Sequence, residues 1–226
     1  MSRLREDAGM TVVELLAGII GFVVVFGAIM EMTIVATHNQ DRIVHRVAAD
    51  QRARPTMTRI MDGLHSACVA PRVAPIAPGS TDTSMTFVSK SGSAVSPVPD
   101  RRVLTLSGTT LTEQVYPATG GAAPSWTFSG TPSVNRTLLT NVTAPTGGAF
   151  RYFRYVNGQL SSTPLPVPLS SADAARTAHV TVSFAFQPGR GVSSLDTKSP
   201  ITLTNSASLL LQSASPVVAQ ENLPCT

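Results

Sequence analysis

Residues 9–30 read GMTVVELLAGIIGFVVVFGAIM, and from Leu15 to Met30 no side chain carries a charge. At 1.5 Å per residue, a helix from Met10 to Thr37 extends roughly 42 Å, longer than the about 30 Å of a bilayer's hydrocarbon core. One carboxylate, Glu14, interrupts it. An ionisable group costs about 2.5–3.5 kcal/mol at mid-membrane, so Glu14 needs a shallow position or a partner. The protein is expected to work from a membrane, with Glu14 part of the reason.

The polar stretch before the run, Met1 to Gly9 (MSRLREDAG), does not have the order of a secretory signal peptide. There a small-residue cleavage site follows the apolar core. Here the small residue, Gly9, precedes it, and the far end offers only Ile34-Val35-Ala36. Cleavage, if it occurs, is expected before the run. Counting basic residues does not support a cytoplasmic N-terminus, because Arg3 and Arg5 are outnumbered by Arg42, Arg46, Arg52, Arg54 and Arg59.

Helical periodicity continues beyond the apolar run. Ile43, Val47, Met57, Met61 and Leu64 recur at spacings of three, four or their multiples, Val44 and Ile60 widen the stripe, and Asp50 and Arg54 interrupt it. His38, Asp41, Arg42, His45, Arg46, Asp50, Arg52 and Arg59 form the polar side. This Arg-rich face reads equally as a solvated surface or as a contact for anionic lipid or an acidic helix. Pro55 removes a helical hydrogen bond and disfavours helical geometry at Arg54, which predicts a kink. The pattern gives one helix over about 10–67, transmembrane over about 11–36 and amphipathic thereafter, packed under a domain.

After Cys68 the periodicity changes. VAPRVAPIAPGS (69–80) has no helical repeat and reads as an irregular linker. Strand patterns follow at Met85–Ser89, Trp126–Phe128, Arg136–Val142, His179–Gln187 and Pro200–Gln212. Arg102–Leu106 and Leu111–Tyr116 flank a turn and predict a hairpin. Phe150–Val156 and Gln159–Ser161 flank Asn157-Gly158, the strongest short-range hairpin signal in the chain. The fold class expected is α+β: a long N-terminal helix packed against an antiparallel β-rich head over 68–226. With only 13% charged residues and a net charge of +4, the chain lacks the basic, aromatic-bearing face of a nucleic-acid binder.

Two cysteines, Cys68 and Cys225, read as a single extracytoplasmic disulfide or as two separate buried thiols. As a disulfide, the loop-entropy model gives the link an upper value of roughly 5 kcal/mol. Four histidines, His38, His45, His65 and His179, are scattered. His38 and His45 are seven apart and could share a helix face, but solvated histidines are the commoner outcome. HExxH, GxSxG, GxGxxG and Walker-type motifs do not occur. Asp173 and His179 among many hydroxyls make no triad signature. No enzymatic activity, cofactor or metal is expected.

A short polar leader ending in glycine, then an apolar helix with Glu as the fifth residue after that glycine, resembles the N-terminus of a type IV prepilin. Here the motif is Gly9-Met10-Thr11-Val12-Val13-Glu14-Leu15. The resemblance covers roughly the first 40 residues. It implies a leader over 1–9, cleavage between Gly9 and Met10 by a prepilin peptidase, and N-methylation of Met10. It also implies that Glu14 neutralises the α-amino group of a neighbouring subunit's Met10, so that two charges costly alone in lipid become a pair in the fibre. Several later features are similar to minor pilins and pseudopilins of the PilW/PulJ type. They are the Cys68 region, Phe150-Arg-Tyr-Phe-Arg-Tyr before Asn-Gly, the Val-rich strand at 180–186 and the late Leu-rich strand.

Three departures stand beside the resemblance. Met10 replaces the commoner Phe. The apolar segment has no kinking Pro, only Gly18, Gly21 and Gly27. Glu31 is a second carboxylate that the motif leaves unexplained.

The function implied is that of a structural subunit of a type IV pilus or type II secretion-like filament. Its partners would be the peptidase, other pilin subunits met through the N-terminal helix, an assembly platform and membrane lipid. It would sit in the inner membrane with a cytoplasmic N-terminus before entering the fibre. The alternative is a filament-tip binding subunit for adhesion or DNA uptake, with Arg151, Arg154, Tyr152, Phe153 and Tyr155 as its contact surface. Nucleic acid enters only through that alternative. Because strand side chains alternate, one face of that stretch is expected in the core.

Overall fold

In the computed structural model, α1 spans Val12–His65 and is followed, among the described residues, by eleven strands and one short helix. The structure describes residues 11–68, 74–90, 99–122, 125–186 and 201–209. They divide into two compact units, with the boundary between Val47 and Ala48.

The first unit consists of α1 residues up to Val47. Val12–Gln40 is long and apolar enough to cross a membrane, and none of its most apolar window is buried. Leu, Val, Ile and Phe point outward all round it, as expected of a helix with no protein partner on any face. Ile43, Val44 and Val47 are exposed too. The expectation that they continue the packed stripe is therefore corrected.

In the second unit the packed stripe begins at Ala53 and runs through Met57, Ile60, Met61 and Leu64, all buried. The helix continues through Pro55. These side chains lie over a sheet made of β1 (Ser84–Ser89), β2 (Asp100–Ser107) and β3 (Thr110–Gly120), in that order. The far edge of β3 is shared by β4 (Thr127–Phe128) and β5 (Val134–Thr140), and every pairing is antiparallel. The β2–β3 turn places Gly108 at φ +57, a backbone conformation that glycine adopts without strain. The outer edge of β1 is partly covered by bridges from Ala67 and Ile76, which limits edge-to-edge pairing there.

A second antiparallel sheet is built on β10 (His179–Phe186). Its neighbours are β11 (Ile201–Ser208) on one side and β6 (Val142–Thr143) with β7 (Phe150–Phe153) on the other. Both sheets contribute to one apolar core, with Met85, Phe87, Leu104 and Leu111 from the first and Phe150, Tyr152, Val180, Val182 and Phe184 from the second. Phe150 and Phe184 meet edge to face at 6.0 Å. Tyr152 keeps its ring in this core by donating its hydroxyl to Thr81 O at 2.9 Å.

The hairpin signal at Asn157-Gly158 gives β8 (Tyr155–Val156) and β9 (Gln159–Leu160), with positive φ at both turn residues as a type I′ turn requires. The single strand expected over 150–156 is instead two, broken at Arg154. One element was not anticipated: α2 (Ser171–Arg176), whose cap is Ser170 accepting from Asp173 N. The α+β class and the antiparallel, β-rich head stand as expected.

Candidate functional site

The start of α1 carries a reciprocal cap. Thr11 Oγ1 accepts from Glu14 N at 3.3 Å, while Glu14 Oε2 accepts from Thr11 N at 3.0 Å and from Thr11 Oγ1 at 3.1 Å. Thr-x-x-Glu immediately before an apolar run is the sequence signature of a capping box, which satisfies donors that the first helical turn leaves unpaired. Glu14 is thus exposed but engaged locally. The signal was present in the sequence and went unread, because the carboxylate drew attention as a charge and not as a cap. Gly9 and Met10, the expected cleavage and methylation positions, lie outside the described residues.

Beyond the cap, the helix meets the requirements of an apolar environment. Thr33 donates its hydroxyl to Ile29 O at 2.8 Å, and Thr37 donates to Thr33 O, so neither hydroxyl needs water. Phe22 and Phe26 stack one turn apart with centroids at 5.8 Å. Glu31 is exposed on the same span. Val12–Gln40 is thus apolar over a length sufficient to cross a bilayer.

A second constellation sits in the head, on the inner face of the first sheet. Glu113 of β3 occupies a core position between Leu111 and Val115 and is 3% exposed. Register brings arginines to the same face. Arg136 of β5 pairs directly with Glu113, and Arg102 of β2 pairs with Val115, one diagonal step away. From α1, Arg59 Nε reaches Glu113 Oε2 at 3.2 Å, while Arg102 Nη1 reaches Oε1 at 3.3 Å. Arg136 donates through Nε at 2.8 Å and also through Nη2. One buried carboxylate therefore joins three guanidiniums from three elements, with three donors on Oε2 and Arg102 on Oε1. Sequence reading missed this cluster. Its trace was a carboxylate standing where strand alternation calls for an apolar residue.

Beside it, Arg102 with Arg54, Arg59 and Asp62 of α1 lines an open groove of about 660 Å³. On the opposite face of the sheet, Arg101 lies over the Tyr116 ring at 4.6 Å and within 5.5 Å of the Phe128 centroid. At the edge of β2, burial raises the Asp100 carboxyl above its ordinary range, with the Arg102 guanidinium pulling the other way.

Residues 151–155, considered as a contact surface, alternate between core and surface, as expected of a strand with one face buried. Phe150 and Tyr152 are in the core, Arg151, Phe153 and Arg154 are half-buried, and Tyr155 alone is exposed. His179 and Asp173 have separate partners. His179 Nδ1 meets Ser208 Oγ at 3.1 Å, and Asp173 accepts from Ser170 Oγ at 2.7 Å. Burial lowers the His179 imidazole below its usual value. Among the described residues, no group of three or more His, Cys, Asp or Glu is placed to hold a metal. Cys68 is wholly buried at the start of the head, and Cys225 lies outside the described residues.

No protein-family model matches the chain, and no curated protein matches it.

Proposed function

We propose that this chain is a structural, non-enzymatic subunit of a type IV pilus or type II secretion-like filament, held in the membrane as a precursor through α1. The observation that carries the reading is a coincidence of features at one end. A glycine closes a short polar leader, Glu14 follows as the fifth residue after it, and the helix begun there exposes apolar side chains on every face. In this reading the peptidase cuts after Gly9, the new amino group of Met10 is methylated, and Glu14 exchanges its local bonds to Thr11 for the amino group of a neighbouring subunit. Apolar packing between helices then replaces lipid. A Cys68–Cys225 disulfide would close the head on the outer side of the membrane, consistent with the full burial of Cys68.

Two measurements test this. Intact mass of the membrane-extracted protein should correspond to loss of Met1–Gly9, gain of one methyl group and loss of two hydrogens for the disulfide. A full-length chain sinks the reading. The second measurement separates pairing from capping. Glu14→Gln keeps an acceptor for the capping box but removes the charge. It should insert normally yet enter filaments several-fold less than the unaltered chain, as Glu14→Ala should. Normal incorporation of the Gln variant would reduce Glu14 to a cap.

A further inference from the structure

We propose that β11 pairs with β11 of a second copy of this chain, antiparallel about a two-fold axis at Asn205, so that two four-stranded sheets become one of eight. Elsewhere the sheet edges are covered in part. β1 is bridged by Ala67 and Ile76. On β5, Leu138 O accepts from Thr56 of α1, and on β7, Tyr152 O accepts from Leu165 N. β11 is different. It is eight residues long with no charge and no proline, and no described strand lies on its far side. Such an edge is a template for a further strand.

The ladder fixes which groups that edge offers. Ser183 N donates to Ala149 O, on the β7 side of β10. Ser183 stands opposite Thr204, so the two form a non-hydrogen-bonded pair, and Thr204 turns its own N–H and C=O outward. By alternation Thr202, Ser206 and Ser208 do the same. Leu209 N, which donates to Ala178 O, belongs to the inward-facing set and agrees with this parity. One outward donor is held locally, since Ser206 N finds Asn205 Oδ1 at 2.8 Å.

The sequence of the edge selects the occupant. Thr202-Leu203-Thr204-Asn205-Ser206-Ala207-Ser208 reads hydroxyl, apolar, hydroxyl, amide, hydroxyl, apolar, hydroxyl, the same in both directions. Antiparallel pairing about Asn205 sets Thr202 opposite Ser208, Leu203 opposite Ala207 and Thr204 opposite Ser206, with Asn205 opposite its own copy. Thr–Ser and apolar pairs of this kind stabilise a ladder, and the contact is isologous, as a two-fold axis requires. Parity fits as well. Thr204 and Ser206 exchange outward bonds, while Asn205 falls in a non-hydrogen-bonded pair with Cα atoms about 4.5 Å apart. Moving the axis to Thr204 would keep the parity but oppose Leu203 to Asn205. This inference concerns the head alone, so its failure leaves the leader and Glu14 tests untouched.

Single cysteines in the full chain, in membranes oxidised with copper phenanthroline, read this register. Asn205→Cys should give a disulfide-linked dimer several-fold above the background of the unaltered chain, because the expected Cα separation suits a disulfide. Thr202→Cys, on the same exposed edge, should stay at background, because its two copies stand about 20 Å apart. Chains carrying Thr202→Cys and Ser208→Cys, expressed together, should cross-link to each other. Thr204→Pro removes an outward N–H that β10 does not use, a place where an edge strand tolerates proline. Added to Asn205→Cys, it should lower the dimer several-fold. Asn205→Cys at background, equal cross-linking at Thr202→Cys, or a dimer indifferent to Thr204→Pro overturns the proposal. Cross-linking of Asn205→Cys to a different protein in place of its own copy also overturns it, and assigns the edge to a foreign strand.

Discussion

Glu113 shows how much a single residue can organise. Its backbone belongs to the middle of β3, where Leu111 and Val115 on either side face the core, and an isolated carboxylate there would be strongly unfavourable. Three guanidiniums convert that liability into a junction between α1, β2 and β5. Because the pair geometry and not the charge alone carries the stability, removing the acid is expected to be worse than removing any one base. Glu113→Ala should destabilise the head by about 3 kcal/mol, since it leaves Arg102 buried without its carboxylate. Arg136→Met should cost about 1 kcal/mol, because that side chain is one-third exposed and Glu113 retains two partners. Chemical denaturation midpoints give both values, and equal losses for the two variants would contradict the junction. Gly148 makes a smaller point of the same kind. At φ +93, with Asp82 Cβ 2.5 Å from where its own Cβ would stand, it permits the turn in which Asp82 O receives both Ala149 N and Phe150 N.

At the scale of elements, sequence patterning carried far but misjudged extent. The strands at 84–89, 100–107, 110–120, 179–186 and 201–208 were legible because alternation, turn chemistry and β-branched content agree there. The Asn157-Gly158 turn was legible from its two residues. What failed had a physical reason each time. α2 is six residues long, too short for a 3.6-residue period to register, and only Ser170-x-x-Asp173 marked it. The stripe on α1 was read from Ile43, but periodicity records which residues share a face and not whether anything covers it. Asp50 and Arg54 marked the break, and the packed portion begins at Ala53. The Glu113 cluster needed register between strands distant in sequence, which no local pattern supplies. Leu64→Ala should therefore cost the head 2–5 kcal/mol, about the usual penalty for emptying a core leucine site. Val44→Ala, on the uncovered side of the break, should change head stability by less than about 0.5 kcal/mol. Matching losses in thermal or denaturant unfolding would mean that the stripe is one packed surface after all.

For the molecule as a whole, the decisive observation is where the core begins. Every residue of the buried apolar cluster lies between Ala53 and Leu209, and none comes from the unit that ends at Val47. The two units thus answer to different solvents. One buries its own side chains, and the other exposes Leu15, Ile19, Phe22, Val25 and Ile29 with nothing of its own to cover them. Their stabilities should separate accordingly. A chain beginning at Ala48 keeps every side chain of the buried cluster and the Glu113 junction, and loses only the exposed apolar span. It should be soluble without detergent and unfold in one cooperative transition, with a denaturant midpoint close to that of the head in the full chain. The full chain should sediment with membranes and resist extraction by high salt or alkali, since burying about twenty apolar residues in hydrocarbon is not reversed by either. If the shortened chain aggregates or unfolds without cooperativity, then α1 before Ala48 contributes to the head's own stability. The long helix would then be part of the folded domain and not merely its tether.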